Sequence, residues 1–243
     1  MITDLHPHRF WLSAQVDAYV CGTQESAQAA VLRGVAPGRL HALGIPITPP
    51  VGATVSRREL AGRFGLEPHR QTVLVTSGGT TVGPFESVVD ALLALEAATP
   101  GRLQLLVVCG EDGSALKRLR ARGASSPMPM RVFGFTEEMP DLMAASDLIV
   151  AKAGGMIISE ALGHGLPIIL YHVIPGQEQR NARYVATHGA AVIALRPRTV
   201  ASAAHHLLEH PEEMAKMRQA ASALRRPDAA AAIASEVVRP LLQ

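Results

Sequence analysis

From residue 71 onward, short runs of aliphatic and β-branched residues alternate with stretches whose apolar positions recur at helical spacing. Residues 72–76, 103–108, 130–132, 148–150, 167–170 and 191–193 read as strands. They lack the polar alternation of a half-exposed strand, so both faces are expected to be covered. With a helix after each, the sheet should be parallel. Helices fill the gaps: over 84–97, Val88, Val89, Leu92, Leu93 and Leu95 recur behind Pro84, a residue suited to a first helical turn, and a second helix is expected over 156–162. The pattern predicts an α/β domain of Rossmann-like, doubly wound type. Beyond it, residues 201–224 read as helical segments broken at Pro211, and residues 228–242 as a last alanine-rich helix.

The first 45 residues repeat this grammar in miniature, with strand-like stretches at 1–3, 18–21 and 40–43 around a helix at 24–33. Gly44, Pro46, Pro49 and Pro50 mark a linker. So short a piece cannot bury both faces of a sheet of its own. It reads as the closing βαβ portion of another domain whose beginning lies upstream. The expected division is a remnant at 1–45, a linker and lead-in at 46–70, and the main domain with its C-terminal helices at 71–243.

Composition narrows the function classes. With 243 residues, 48% hydrophobic, 18% charged and a formal net charge of +2, the chain belongs with globular proteins, not disordered or fibrous ones. The longest apolar run, around 166–171, is strand-sized and far short of the roughly 18 residues a membrane helix needs. No basic segment followed by an apolar one opens the chain, so a cytoplasmic protein is expected. Cys21 and Cys109 lie far apart without metal-ligand spacing and should be buried, reduced thiols. Basic residues are interspersed with acids and aromatics make up only 4%, so the footprint of a nucleic-acid binder is missing. The basic run 117–122 reads as a solvated helix face.

Candidate chemistry sits where strands end. The first strand runs into Ser77-Gly78-Gly79-Thr80, and the fourth into Lys152-Ala153-Gly154-Gly155-Met156-Ile157. Each is a glycine-rich turn leading into a helix, where bare amides and the positive end of the helix suit an anion. Neither is a Walker A loop or a GxGxxG motif. Glu160 falls about one turn into the second helix, placed to accept from two vicinal hydroxyls such as a ribose offers. Gln177, Glu178 and Asn181, after the strand 167–170, supply the amide and carboxylate groups that would hold several sugar hydroxyls. His206 and His210 have i, i+4 spacing but no acidic or cysteine partner in view, and read as surface residues.

In combination these stretches carry a resemblance. The run from Lys152 to Tyr171, continued from Pro175 to Asn181, closely resembles the donor-binding domain of family 28 glycosyltransferases, above all plant galactolipid synthases and bacterial processive diacylglycerol glucosyltransferases. Gly134-Phe135-Thr136-Glu137-Glu138-Met139 and the Gly78-Gly79 loop extend it, and Thr3-Asp4, His8, Trp11 and Gly44 to Ile47 fit the end of that family's amino-terminal domain. The resemblance implies a GT-B architecture, with this chain its C-terminal domain preceded by an N-terminal remnant. It implies UDP-sugar contacts from Gly78, Gly79, Thr80 and Met139, with Phe135 and Thr136 at the uracil and Gly154, Gly155, Met156 and Ile157 at the diphosphate. Glu160 would hold the ribose, and Gln177 and Glu178 the hexose, with Asn181 beside them. It also implies an inverting transfer without metal or other cofactor, from a UDP-hexose to a lipid hydroxyl such as that of diacylglycerol.

Two departures stand out. Ile157 occupies a place where relatives commonly carry threonine, and Thr48 one where many carry arginine, a loss that Arg57 or Arg58 is positioned in sequence to offset. No catalytic base is visible: His8 is the one upstream histidine in a motif context, and its neighbours Phe10 and Trp11 favour a structural role. The expected partners are therefore a UDP-sugar, a lipid acceptor and a separate N-terminal half, with peripheral membrane contact and a homodimer as further expectations. Rival readings are a non-catalytic nucleotide-sugar-binding or regulatory module and a nucleotide-sugar epimerase.

Overall fold

Two parallel sheets share the computed structural model, which describes residues 1–49, 55–78 and 83–242. The smaller pairs β1 (Tyr19–Val20) with β2 (Leu40–His41) through α1 (Gln24–Val31), whose cap Thr23 accepts from the Ser26 amide. The larger is built from β3 (Gln71–Thr76), β4 (Leu103–Val108), β5 (Met130–Phe133), β6 (Leu148–Ala151), β7 (Ile168–Leu170) and β8 (Ala191–Ile193). Its six strands lie in the order β5-β4-β3-β6-β7-β8, every neighbouring pair parallel. The winding reverses between β3 and β6, and at such a switch point the carboxyl ends of the strands part into a crevice.

Burial on both faces explains the uniformly apolar strands. Leu74, Leu106, Ile149, Ile168 and Leu170 face one core, while Val73, Val75, Leu105, Val107, Val150 and Ile169 face the other. The first core is closed by α2 (Arg57–Phe64), α5 (Met139–Ala144), α6 (Gly155–Gly163) and α7 (Gln177–Thr187). The second is closed by α3 (Phe85–Leu93), α4 (Gly113–Ser125), α8 (Pro197–Glu209) and α9 (Pro211–Leu224). Leu5 and Ile45 of the N-terminal piece belong to the first core, alongside Ile158 and Ala161 of α6. The last residues return to the same junction. Gly44, at φ +97°, lies so close to them that a Cβ there would stand 2.5 Å from Cβ of Arg226.

Several local expectations change. Residues 1–3 form no strand: Ile2 donates one bond to the Val20 carbonyl at 2.9 Å, and β1 is too short to extend the pairing. Pro84 caps α3 from outside, and after Leu93 that helix tightens into a 3-10 turn, Ala94–Ala97. The final helix is broken into α10 (Ala229–Ile233), a π-type turn at Ala234–Val238 and α11 (Arg239–Leu241), whose Pro240 has no amide to donate. The basic face of α4 is cross-braced, with Arg118 and Arg122 reaching Glu86 at 2.6 and 3.0 Å. Cys21 and Cys109 are buried and unbridged. Among the described residues no helix is long and apolar enough to cross a membrane.

Candidate functional site

At the switch point the ends of β3 and β6 open around a cleft of about 390 Å³. Thr76 and Gly78 line one wall, and Lys152, Gly154, Gly155, Met156 and Ile157 the other. Thr3 and Asp4 form one lip, Glu178 another. Gly154 caps α6 with no side chain, and the first capping bond runs from the Ile158 amide to the Gly154 carbonyl at 3.1 Å. The amides of Gly155, Met156 and Ile157 therefore have no acceptor among the described residues. Open donors on the first turn of a helix, with its dipole behind them, make an anion site.

Lys152 adds positive charge, and reasoning from sequence did not single it out. It follows directly on the buried strand β6, and its Cε would lie 3.4 Å from a Cβ placed on Gly78 across the cleft. Burial draws its pKa down, and the charge of Glu178 pulls it partly back. A lysine between a buried strand and a Gly-Gly turn was the available signal. The hydroxyl of buried Tyr171 donates to the Thr76 carbonyl at 3.0 Å, holding the end of β7 against the end of β3.

Gly154 and Gly155 serve different ends. A Cβ on Gly155 would come within 1.9 Å of the Thr3 carbonyl oxygen and 3.0 Å of the Asp4 Cα, so the N-terminal segment lies directly on the start of α6. What covers that residue is backbone, and the neighbouring Met156 stays 43% exposed at the cleft.

Other expected residues are placed as follows. Glu160 lies one turn beyond Met156, outside the cleft lining; its carboxyl is partly buried without an ion pair among the described residues, and burial raises its pKa. His164, a turn further, donates from Nδ1 to the Glu160 carbonyl at 2.9 Å. Its ring also lies against the Pro140 carbonyl, and burial lowers its pKa. This joins α6 to the start of α5, whose Met139 packs toward the first core; in the loop before α5, Phe135 is 75% exposed and the Thr136 hydroxyl accepts from the Glu138 amide at 3.1 Å. Both amide atoms of Gln177 are buried and have no hydrogen-bond partner among the described residues. Glu178 lines the cleft and also accepts from the Ile174 amide at 3.1 Å. Gly79 and Thr80 lie outside the described residues.

Three expectations are corrected by geometry. Asn181 does not face the cleft. It is fully buried and its amide is saturated, donating to Asp4 Oδ1 at 2.6 Å and the Ala153 carbonyl at 3.0 Å while accepting from the Leu5 amide at 2.8 Å. Arg57 does not offset Thr48, because it pairs with Asp147 at 2.5 Å, at the amino end of β6 and so across the sheet from the cleft; Arg58 sits on the same helix start. His206 does have an acidic partner, Glu213 at 2.9 Å, supplied by the next helix. His8 caps the turn Arg9–Trp11, its Nδ1 accepting from the Phe10 amide at 3.3 Å.

Residues 72–233 match the glycosyltransferase family 28 C-terminal domain. The chain belongs to glycosyltransferase family 28. Residues 1–47 of this family 28 chain match the monogalactosyldiacylglycerol synthase family. It is 27% identical over 238 residues to the processive diacylglycerol beta-glucosyltransferase of Bacillus pumilus, covering 98% of this chain and 61% of the relative. To monogalactosyldiacylglycerol synthase 3 of Arabidopsis thaliana it is 32% identical over 244 residues, covering 98% and 52%. The chain thus spans about half to three fifths of the length of these curated relatives. Among solved structures it resembles S. aureus MnaA with UDP (TM-score 0.71, 15% identity, 93% of this chain and 61% of that one). It also resembles Anabaena HepE with UDP-glucose (TM-score 0.62, 18% identity, 93% and 63%). At such identities the likeness shows the shared GT-B-like fold.

Proposed function

We propose that this family 28 chain is the donor-binding half of a hexosyltransferase that moves a sugar from a UDP-hexose to a lipid hydroxyl such as that of diacylglycerol. The observation that carries this is the cleft at the switch point, where unpaired amides of α6 meet Lys152. The diphosphate binds the amides of Gly155, Met156 and Ile157, with Lys152 and Gly78 facing it and further contacts from Gly79 and Thr80. Glu160 holds the ribose, Phe135 and Thr136 with Met139 receive the uracil, and Gln177 and Glu178 hold the hexose. As the bond from the anomeric carbon to the diphosphate breaks, negative charge grows on the departing UDP. Fixed amide dipoles and a lysine stabilise that charge without reorganising. An N-terminal half, on the same or a separate polypeptide, supplies the acceptor cleft and the base that takes the hydroxyl proton. Residues 1–45 belong to that N-terminal unit, 46–70 lead into the donor domain, and the protein works at the cytoplasmic face of a membrane.

An epimerase reading is less well supported, since the likeness to a UDP-sugar epimerase is one of fold at 15% identity, whereas the relatives by sequence are named as glycolipid synthases. A non-catalytic sugar-nucleotide module shares the same pocket and differs only in turnover. Calorimetry with UDP, UDP-glucose and UDP-galactose tests the pocket, with a Kd below about 1 mM expected. A folded chain that binds none of them at millimolar concentration overturns both nucleotide readings. UDP release with diacylglycerol, on adding an N-terminal half from a relative, separates the enzyme from the module.

A further inference from the structure

Asn181 was expected to touch sugar and is instead spent on holding the N-terminal segment. The consequence lies at Asp4. Its Oδ1 is held at 2.6 Å by an amide that is itself fully buried and anchored to the Ala153 carbonyl, and the next backbone amide, Leu5, is held by the same side chain. On the other side, Thr3 and Asp4 press on Gly155 where no Cβ fits. The Asp4 carboxyl is thus fixed from two directions. It lines the cleft, and its second oxygen, Oδ2, has no hydrogen-bond partner among the described residues.

We infer that Asp4 contacts the donor, its Oδ2 accepting from a hydroxyl of the hexose. The inference rests on the nucleotide-sugar reading of the cleft. Position and charge assign the hexose over the other parts of the ligand. Although its backbone rests on Gly155 of α6, the Asp4 carboxyl is held by Asn181 of α7, the helix that also carries Gln177 and Glu178, and Glu178 lines the same cleft. A carboxylate beside a diphosphate is repelled, whereas beside a sugar it accepts charge-assisted hydrogen bonds. The N-terminal segment, contributed by the other unit of the fold, therefore reads the sugar, and Asn181 acts as its positioning residue through Asp4.

The test compares UDP with UDP-glucose and UDP-galactose by calorimetry on the full chain and on Asp4→Asn, which keeps an oxygen for Asn181 and removes the carboxylate. A loss of roughly ten-fold or more for at least one UDP-hexose, with UDP itself within two-fold of wild type, is the expected result for a charged acceptor of one sugar hydroxyl. Parallel losses for UDP and UDP-hexose would mean a purely structural clamp and overturn the inference, as would no change in either. Partial unfolding does not blur the outcome, because an inactive fraction scales both apparent Kd values equally and cancels in their ratio; Asp4→Ser gives the same ratio on a second variant. Wild-type protein that binds no UDP defeats the nucleotide reading itself, which is distinguishable from a wild type that binds UDP but whose Asp4 variants keep the wild-type ratio.

Discussion

Glu160 carries a carboxyl that is partly buried, unpaired among the described residues and raised in pKa by burial alone. A group whose folded pKa is raised contributes stability that is complete below the unfolded value, about 4.3 for glutamate, and is lost as pH rises through the folded value. At neutral pH the charge is therefore a cost to the fold, accepted where a ligand needs it. Glu160→Gln is expected to keep or raise Tm at pH 7 and to flatten the gain in stability on acidification, while weakening UDP about ten-fold through the lost ribose contact. Thermal melts across pH together with UDP calorimetry check both halves, and an unchanged Kd removes Glu160 from the site. At this scale legibility was uneven. Glycines at a helix start and an acid one turn on are visible in the spacing, and the structure brings the glycines to the cleft while Glu160 lies outside its lining. Lys152 heads the turn in sequence but received no role there, because a lone lysine gains meaning only from what faces it across a crevice, here Gly78. Asn181 misled for the converse reason, since an amide is a sugar ligand or an internal clamp according to whether partners already saturate it.

Among the elements, α6 shows how a local motif acquires two functions. Gly154→Ala places its Cβ no nearer than 3.8 Å to another group, the Ile157 Cγ2, and should be nearly neutral. Gly155→Ala meets the Thr3 carbonyl at 1.9 Å and should cost about 1–3 kcal/mol, as overpacking does, with faster proteolysis of the displaced N-terminal segment. Paired thermal denaturation and limited proteolysis decide the matter, and equal behaviour of the two variants would sink it. The elements themselves were largely readable. The strands at 103–108 and 191–193 fall where the pattern placed them, because a strand buried on both faces leaves a continuous apolar run. Residues 1–3 were not readable as a loop, since whether an apolar stretch joins a ladder depends on the length of its neighbour.

For the molecule as a whole, the two ends of the main sheet have separate duties. At the amino end Asp147 accepts from the Thr72 amide at 2.9 Å and pairs with Arg57 and Arg218 at 2.5 and 3.1 Å, tying α2 and α9 to β3 and β6. Both arginines are about half exposed, so most of the effect comes from the buried amide bond and not from the ion pairs. Asp147→Ala is expected to lower stability by about 2 kcal/mol in urea denaturation and to leave UDP affinity unchanged. A parallel loss of affinity would show that the two ends are coupled.

Periodicity alone determined the α/β class and the parallel sheet, and short motifs determined the glycine-rich helix start and the family resemblance, because each is written in residues close along the chain. Tertiary structure decided what depends on distant residues meeting: the switch point between β3 and β6, the reach of Lys152, the saturation of Asn181, and the seat of Asp4 on Gly155. Local spacing can announce a hydrogen-bonding group, but only the packed chain says whether that group is already occupied.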